Sequence, residues 1–285
     1  MYTTLITTDQ LTDYLANHPA SELAIIDCSF SQANLEQGRI DYDEMHIQGA
    51  VYAHLLDDLS GPILPDITGR NPLPDPDVFA RTLANWGIGQ GVQVVAYDDS
   101  GGNFAARLWW MLRWMGHDAV AVLDGGLVAW LEMDGATSEG RETRAPVEFR
   151  PNIRPELVAS SEQVDAIRTD PAWRLIDVRP VERFRGEIEP NDSIAGHIPG
   201  AINAPWRNNL DDGDRLRPID VLTARFQTLF GDTPPQHILF SCGSGVTACH
   251  SLLAMHHAGL GEAQLYVGSW SEWITDPSRA MTRGS

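Results

Sequence analysis

Cys242 stands in the run Ser241-Cys242-Gly243-Ser244-Gly245-Val246-Thr247-Ala248, between an apolar segment and an amphipathic one. A thiol at the carboxyl end of a strand, followed by a glycine-containing turn and a helix, faces backbone N–H groups and the positive end of the helix. Those surroundings favour negative charge on sulfur, and so nucleophilic chemistry through a covalent intermediate. The loop contains no His or Asp to act as a base, so the anion would be stabilised by hydrogen bonds alone. On these residues by themselves, a buried thiol at a strand end is an equally good reading. Cys28, at a strand end, and Cys249, on the helix after the loop, read as buried thiols. Three cysteines in 285 residues make no disulfide framework, and no Cys/His cluster has zinc-finger spacing. No metal and no organic cofactor is implied.

The charge pattern narrows the partners. All 20 basic residues are Arg and there is no Lys, which excludes Schiff-base chemistry and a P-loop lysine. With 39 acidic residues the net charge is −19, so nucleic acid and an anionic membrane surface are unfavourable partners. Residues 1–140 hold 5 Arg and 20 acids (net −15), residues 141–285 hold 15 Arg and 19 acids (net −4), so a small anion fits the second half better. There is no run of 18 apolar residues and no basic-apolar start, so a cytoplasmic location is expected.

The elements that must hold the cysteine occur twice. Ile25-Ile26-Asp27 recurs as Leu175-Ile176-Asp177, and His46-Ile47-Gln48-Gly49-Ala50 as His197-Ile198-Pro199-Gly200-Ala201. Val94–Asp98 matches Ile238–Cys242, and Gly125–Trp130 matches Gly268–Trp273, at offsets of 143 to 151 in one order. A period this long means two copies of one domain. The expected boundaries are 1–138 and 157–285, with a polar, Arg/Pro-rich linker over 139–156. Apolar runs at Ala24–Asp27, Val92–Tyr97, Ala119–Leu123, Leu175–Asp177, His237–Phe240 and Ala263–Val267 predict buried parallel strands. Helical periodicity over Gln10–Asn17 (Leu11, Tyr14 and Leu15 inward), Ala105–Met115 and Ala248–Ala258 alternates with them. The fold class is therefore α/β: two tandem domains, each a mostly parallel sheet with helices on both faces.

The duplication, the loop Cys242–Thr247, Asp124-Gly125-Gly126-Leu127 and Gly268-Ser269-Trp270-Ser271-Glu272-Trp273 together resemble the tandem-domain rhodanese family of sulfurtransferases over nearly the whole chain. The loop is of the form found in the mercaptopyruvate branch, where thiosulfate enzymes carry Arg-Lys in place of Gly243-Ser244. The resemblance implies a catalytically inactive first domain, consistent with Asp98 at the position matching Cys242. It implies that Cys242 becomes a persulfide, cradled by the N–H groups of Gly243, Ser244, Gly245, Val246 and Thr247, with the Ser244 and Thr247 hydroxyls assisting. Arg183 matches the arginine that binds the substrate anion, while Arg179 reads as the partner of Asp177. The implied partners are a small anionic sulfur donor, 3-mercaptopyruvate or thiosulfate, and a thiol or cyanide acceptor, including a thiol protein such as thioredoxin. Two positions depart from the pattern. Asn191 stands where a second arginine is expected, and Leu56, beside Asp57 and Asp58, where an aspartate is expected; Arg70 is the candidate replacement charge. A cysteine phosphatase would need Arg at the sixth position after the cysteine, where Ala248 stands. A non-catalytic sulfur-carrier or interaction module is the remaining alternative.

Overall fold

Strands whose side chains are buried on both faces must be covered on both faces, and the apolar runs of this chain behave that way. The computed structural model describes residues 1–284. It contains two compact units. In the first, β1 (Leu5–Ile6), β2 (Leu23–Asp27), β3 (Val51–Tyr52), β4 (Gln93–Tyr97) and β5 (Val120–Leu123) form a parallel sheet in the order β1-β5-β4-β2-β3. In the second, β6 (Val158–Ala159), β7 (Arg174–Asp177), β8 (Ile202–Asn203), β9 (Ile238–Ser241) and β10 (Gln264–Tyr266) form a parallel sheet in the order β6-β10-β9-β7-β8. The two orders are the same when each unit's strands are counted from its own first. All residues of β2, β4, β5 and β9 are buried. In the first unit one face packs Leu23, Ile25, Val95, Tyr97, Ala121 and Leu123 with Leu11 and Trp130. The α/β class expected from the sequence is thus observed.

Helix ends follow local chemistry. Thr7 caps Thr8–Asn17 in a reciprocal capping box with Gln10, and Asp75 caps Pro76–Asn85 with proline in the first turn. Leu15, expected on the inner face of the first of these helices, is instead 42% exposed, because that short helix buries only a stripe around Leu11. The helix Ala105–Trp114 is buried on all sides, and Arg113 lies over the Trp109 ring at 5.2 Å.

The repeated His-Ile segments are structural. Nδ1 of His46 lies 2.7 Å from the Tyr42 carbonyl and its ring stacks on Tyr42; Nδ1 of His197 lies 2.7 Å from the Phe184 carbonyl and its ring stacks on Phe184. Each imidazole thus satisfies a carbonyl near the end of a helix and fills the space beside an aromatic ring.

The units are not contiguous in sequence. Pro62–Leu73 belongs to the second, and Asp212–Leu216 and the joining segment as far as Arg154 to the first. The joining segment is pinned there by Val147 N–H to the Ala84 carbonyl, Asn152 N–H to the Met115 carbonyl, and Arg154 on Asp118. No helix of the described residues is long and apolar enough to cross a membrane.

Candidate active site

Cys242 is the first residue after β9, and its side chain is nearly enclosed. Its Sγ accepts the Gly245 N–H at 3.2 Å. The ten-residue helix Ala248–His257 begins six residues on, with its N-terminus at the loop. Among the described residues, no backbone carbonyl accepts from the N–H groups of Gly243, Ser244, Val246 or Thr247. The first unit shows what such a loop binds. There Asp98 follows β4, and its carboxylate accepts the N–H groups of Ser100, Gly102, Phe104 and Ala105 at 2.7–2.9 Å. Burial raises the Asp98 pKa and the four N–H bonds oppose that rise. One copy of the loop therefore encloses a carboxylate of its own chain, while in the other the Gly245 N–H meets a thiol.

The two loop glycines serve different ends. Gly245 has φ +75°, and a Cβ on it would meet the Val267 carbonyl oxygen at 2.1 Å, so the turn requires glycine. Gly243 has no such φ. A Cβ there would lie 3.1 Å from Arg70 Nη2 and 3.4 and 3.5 Å from Arg183 Nη2 and Nη1. Its missing side chain admits two guanidiniums to the loop, which differs from the turn-making role expected for it.

The turn Gly268–Trp273 straps the loop down. Trp270 and Ser271 N–H donate to the Cys242 and Gly243 carbonyls at 3.1 and 2.9 Å. Ser269 Oγ accepts the Cys242 N–H at 3.0 Å, donates to the Tyr266 carbonyl at 2.9 Å and lies 3.9 Å from Sγ. Ser269 holds φ +53°, an unfavourable value for serine, where its counterpart in the first unit, Gly126, holds +57°. Sequence reading matched these two positions but gave Ser269 no part in the site. The Gly-to-Ser exchange within the repeat was the available signal.

Arg183 emerges with a set of partners. Asp177, Arg179, Glu189, Arg183, Asp192 and Arg70 form an alternating chain of ion pairs. The Arg179 guanidinium donates to Asp177 at 2.7 Å, and its Nη1 lies 3.4 Å from Glu189. Arg183 Nη2 donates to Glu189 at 2.6 Å and lies 3.4 Å from Asp192, whose other oxygen accepts from Arg70 Nη1. The three carboxylate side chains are 3–4% exposed, so these pairs are shielded from water. Asn191 is exposed, and its N–H donates to Glu189. Asp57 belongs to the first unit and pairs with Arg39 and His54; Asp58 accepts the His54 N–H. Cys28 and Cys249 are buried, Cys249 donating to the Gly245 carbonyl at 3.3 Å. Burial, then the charges of Asp27, Asp98 and Asp58, pushes the Cys28 pKa far up.

The rhodanese-like domain family matches residues 7–133 and again 160–276. The chain is 43% identical over 281 residues to a probable 3-mercaptopyruvate sulfurtransferase of Pseudomonas aeruginosa, covering 98% of both chains. It is 35% identical to the human 3-mercaptopyruvate sulfurtransferase, over 88% of this chain and 84% of that one. The solved structure of 3-mercaptopyruvate sulfurtransferase from Leishmania major superposes with a TM-score of 0.81 at 30% identity, covering 95% of this chain and 74% of the other. Two copies of one sheet order, a cysteine loop in the second copy with its carboxylate counterpart in the first, and likeness along nearly the full length all agree: this chain belongs to the rhodanese family.

Proposed function

We propose that the protein is a sulfurtransferase that takes sulfur from 3-mercaptopyruvate in preference to thiosulfate and passes it to a thiol or cyanide through a persulfide on Cys242. The observation that carries this reading is the Cys242 Sγ, which accepts the Gly245 N–H in a loop at a helix N-terminus, with Arg183 beside that loop. The Cys242 thiolate attacks the donor sulfur. The carbon–sulfur bond breaks, its electron pair leaves on carbon, and the resulting enolate takes a proton from water to give pyruvate. With thiosulfate the sulfur–sulfur bond would break and sulfite would leave. Arg183 orients the donor carboxylate as a planar fork. The N–H groups of Gly243, Ser244, Gly245, Val246 and Thr247 receive the terminal sulfur, aided by the Ser244 and Thr247 hydroxyls. They need no proton transfer to do so. An acceptor thiol then attacks the outer sulfur and restores Cys242.

Preference for mercaptopyruvate follows from charge. Gly243 and Ser244 bring no cation, and the six-membered ion-pair chain is neutral as a whole, so a monoanionic donor is accommodated at lower cost than a dianion. The test is intact-mass spectrometry. After exposure to 3-mercaptopyruvate the protein gains one sulfur and loses it on addition of a thiol. Cys242→Ser gains none and turns nothing over, while Cys28→Ser and Cys249→Ser retain most activity. Turnover by Cys242→Ser would overturn the mechanism.

A further inference from the structure

Acidic residues outnumber basic ones by 39 to 20 in this chain, so two arginines set against each other without a carboxylate need a reason. Arg217 stands two residues before the helix Ile219–Phe230 and Arg225 lies on it, both in the second unit and both half-buried. Among the described residues, their side chains bond only neutral oxygens. Arg217 Nε donates to the Leu210 carbonyl at 2.8 Å. Arg225 Nε donates to Asn209 Oδ1 at 3.0 Å and its Nη2 to the Pro205 carbonyl at 3.1 Å. Asn209 is fully buried and ties the two together: its carbonyl also accepts the Arg217 N–H at 2.9 Å, and its Nδ2 donates to Ser251 Oγ at 3.1 Å. Burial first, and then the Arg217 charge, lower the Arg225 pKa. Clasping the turn Trp206–Asn209 explains these bonds but not the charges, since a neutral amide donates to a carbonyl as well. A guanidinium has five N–H donors; Arg217 spends one on its side-chain bond and Arg225 two, which leaves four and three. Two like charges repel, and neutral oxygens relieve little of that. A doubly charged anion cancels both charges and takes the spare donors. A planar monocarboxylate fills one fork, whereas a tetrahedral oxyanion turns oxygens toward two.

We propose that Arg217 and Arg225 form a second anion site, separate from the sulfur-transfer site, that takes a phosphate dianion, free or as the end of a phosphate monoester. It shares no residue with the Cys242 loop or with the ion-pair chain of Arg183.

The test is calorimetric titration of the full chain with inorganic phosphate in chloride buffer at about pH 8, where the ion is doubly charged. Arg217→Gln and Arg225→Gln keep an N–H donor and lose the charge. Each should weaken phosphate by at least about tenfold, as expected for loss of a charge-assisted pair. Each should leave kcat/KM for 3-mercaptopyruvate within about twofold of wild type. Arg183→Ala, which removes the cation beside the Cys242 loop, should bind phosphate as wild type does. Acetate should bind wild type at least about tenfold more weakly than phosphate. A second measurement uses no variant, so misfolding cannot mimic it: phosphate should shield Arg217 and Arg225 of wild type from phenylglyoxal, a guanidinium reagent, in peptide mapping by mass spectrometry. Glycerol 3-phosphate identifies the source. Tighter binding than inorganic phosphate marks a monoester, and equal or weaker binding marks the free ion. No binding of either phosphate by wild type, unchanged affinity in both glutamine variants, lost affinity in Arg183→Ala, acetate equal to phosphate, or no shielding of the two arginines would each overturn the proposal. A larger fall in kcat/KM in the glutamine variants would overturn the separation of this site from sulfur transfer.

Discussion

If the strand-end loop is an anion cradle by construction, it should take an anion from solution when its own is removed. Asp98 offers the means, because its carboxylate is fully enclosed and accepts four N–H groups at 2.7–2.9 Å. Asp98→Gly leaves those four donors without a partner. At about 1–3 kcal/mol for each unsatisfied donor, and with entering water recovering much of it, the net destabilisation should be about 3–5 kcal/mol. For a domain of this size that lowers Tm by roughly 6–20 °C. Formate is a carboxylate without a chain and fits the space the side chain vacates. With a Kd of about 10 mM, formate at about 100 mM would return ~1.4 kcal/mol, or roughly 3–6 °C. The assay is thermal unfolding of wild type, Asp98→Gly and Asp98→Asn in formate and in chloride at equal ionic strength. Any gain from formate at the Cys242 loop and Arg183 is common to all three proteins, so the excess stabilisation of Asp98→Gly over wild type is the quantity that counts. Asp98→Asn should be destabilised and not rescued, since either amide orientation sets an NH2 group against backbone donors while filling the space. Formate acting no better than chloride on folded Asp98→Gly would refute the idea that the backbone of this loop, rather than the particular side chain, selects the anion.

Arg183→Ala should lower kcat/KM for 3-mercaptopyruvate about 30- to 150-fold, the equivalent of about 2–3 kcal/mol, as steady-state kinetics will show, and a melt should show a lowered Tm as well, because the buried Glu189 and Asp192 lose a partner. Gly245→Ala should lower stability by at least about 3 kcal/mol and abolish persulfide formation, because a left-handed φ and a backbone oxygen at 2.1 Å both oppose the methyl group. Gly243→Ala meets only movable guanidinium ends at 3.1–3.5 Å, so its Tm should stay near wild type while KM rises. The carboxyl of Asp27 is pushed up from 3.8 to about 6, chiefly by burial, so its contribution to stability is present at pH 4 and is lost as pH rises through about 6. Asp27→Asn keeps an acceptor for the Ser29 N–H and should gain on wild type in urea unfolding between pH 4 and 7, by up to about 3 kcal/mol.

What could be read from the sequence was what lies close together in it. The central strands and the loop after β9 are continuous runs with short-range patterns, so α/β architecture and the doubled domain followed from them. The two-residue edge strands Leu5–Ile6, Val51–Tyr52, Val158–Ala159 and Ile202–Asn203 are too short to show any period and were not expected. The partners of the site were hidden for another reason. Arg70 and Asp192 are 122 residues apart, and Cys242 and Ser269 are 27 apart. A buried carboxylate also looks no different in sequence from the many exposed ones of an acidic chain. Asp192 and Glu189 were visible only as neighbours of a missing arginine. A glycine just after a strand-end cysteine reads as a turn residue, because glycine most often serves turns, and only the structure reveals that Gly243 leaves room for cations.

Segment 62–73 lies in the first half of the chain and packs in the second unit, while Asp212–Leu216 lies in the second half and packs in the first, where Leu216 N–H reaches Asp124. Two copies produced by simple fusion begin as separable modules, each able to be lost without harm to the other. Once each has lent a piece of chain to its twin, that freedom is gone. A fragment starting at residue 157 would lack Gly69 and Arg70, and one ending at 138 would lack the clasp at Asp124. The interlacing acts as a ratchet: the first copy carries Asp98 where the second carries Cys242, yet cutting the first half away would take segment 62–73 from the unit that holds the cysteine.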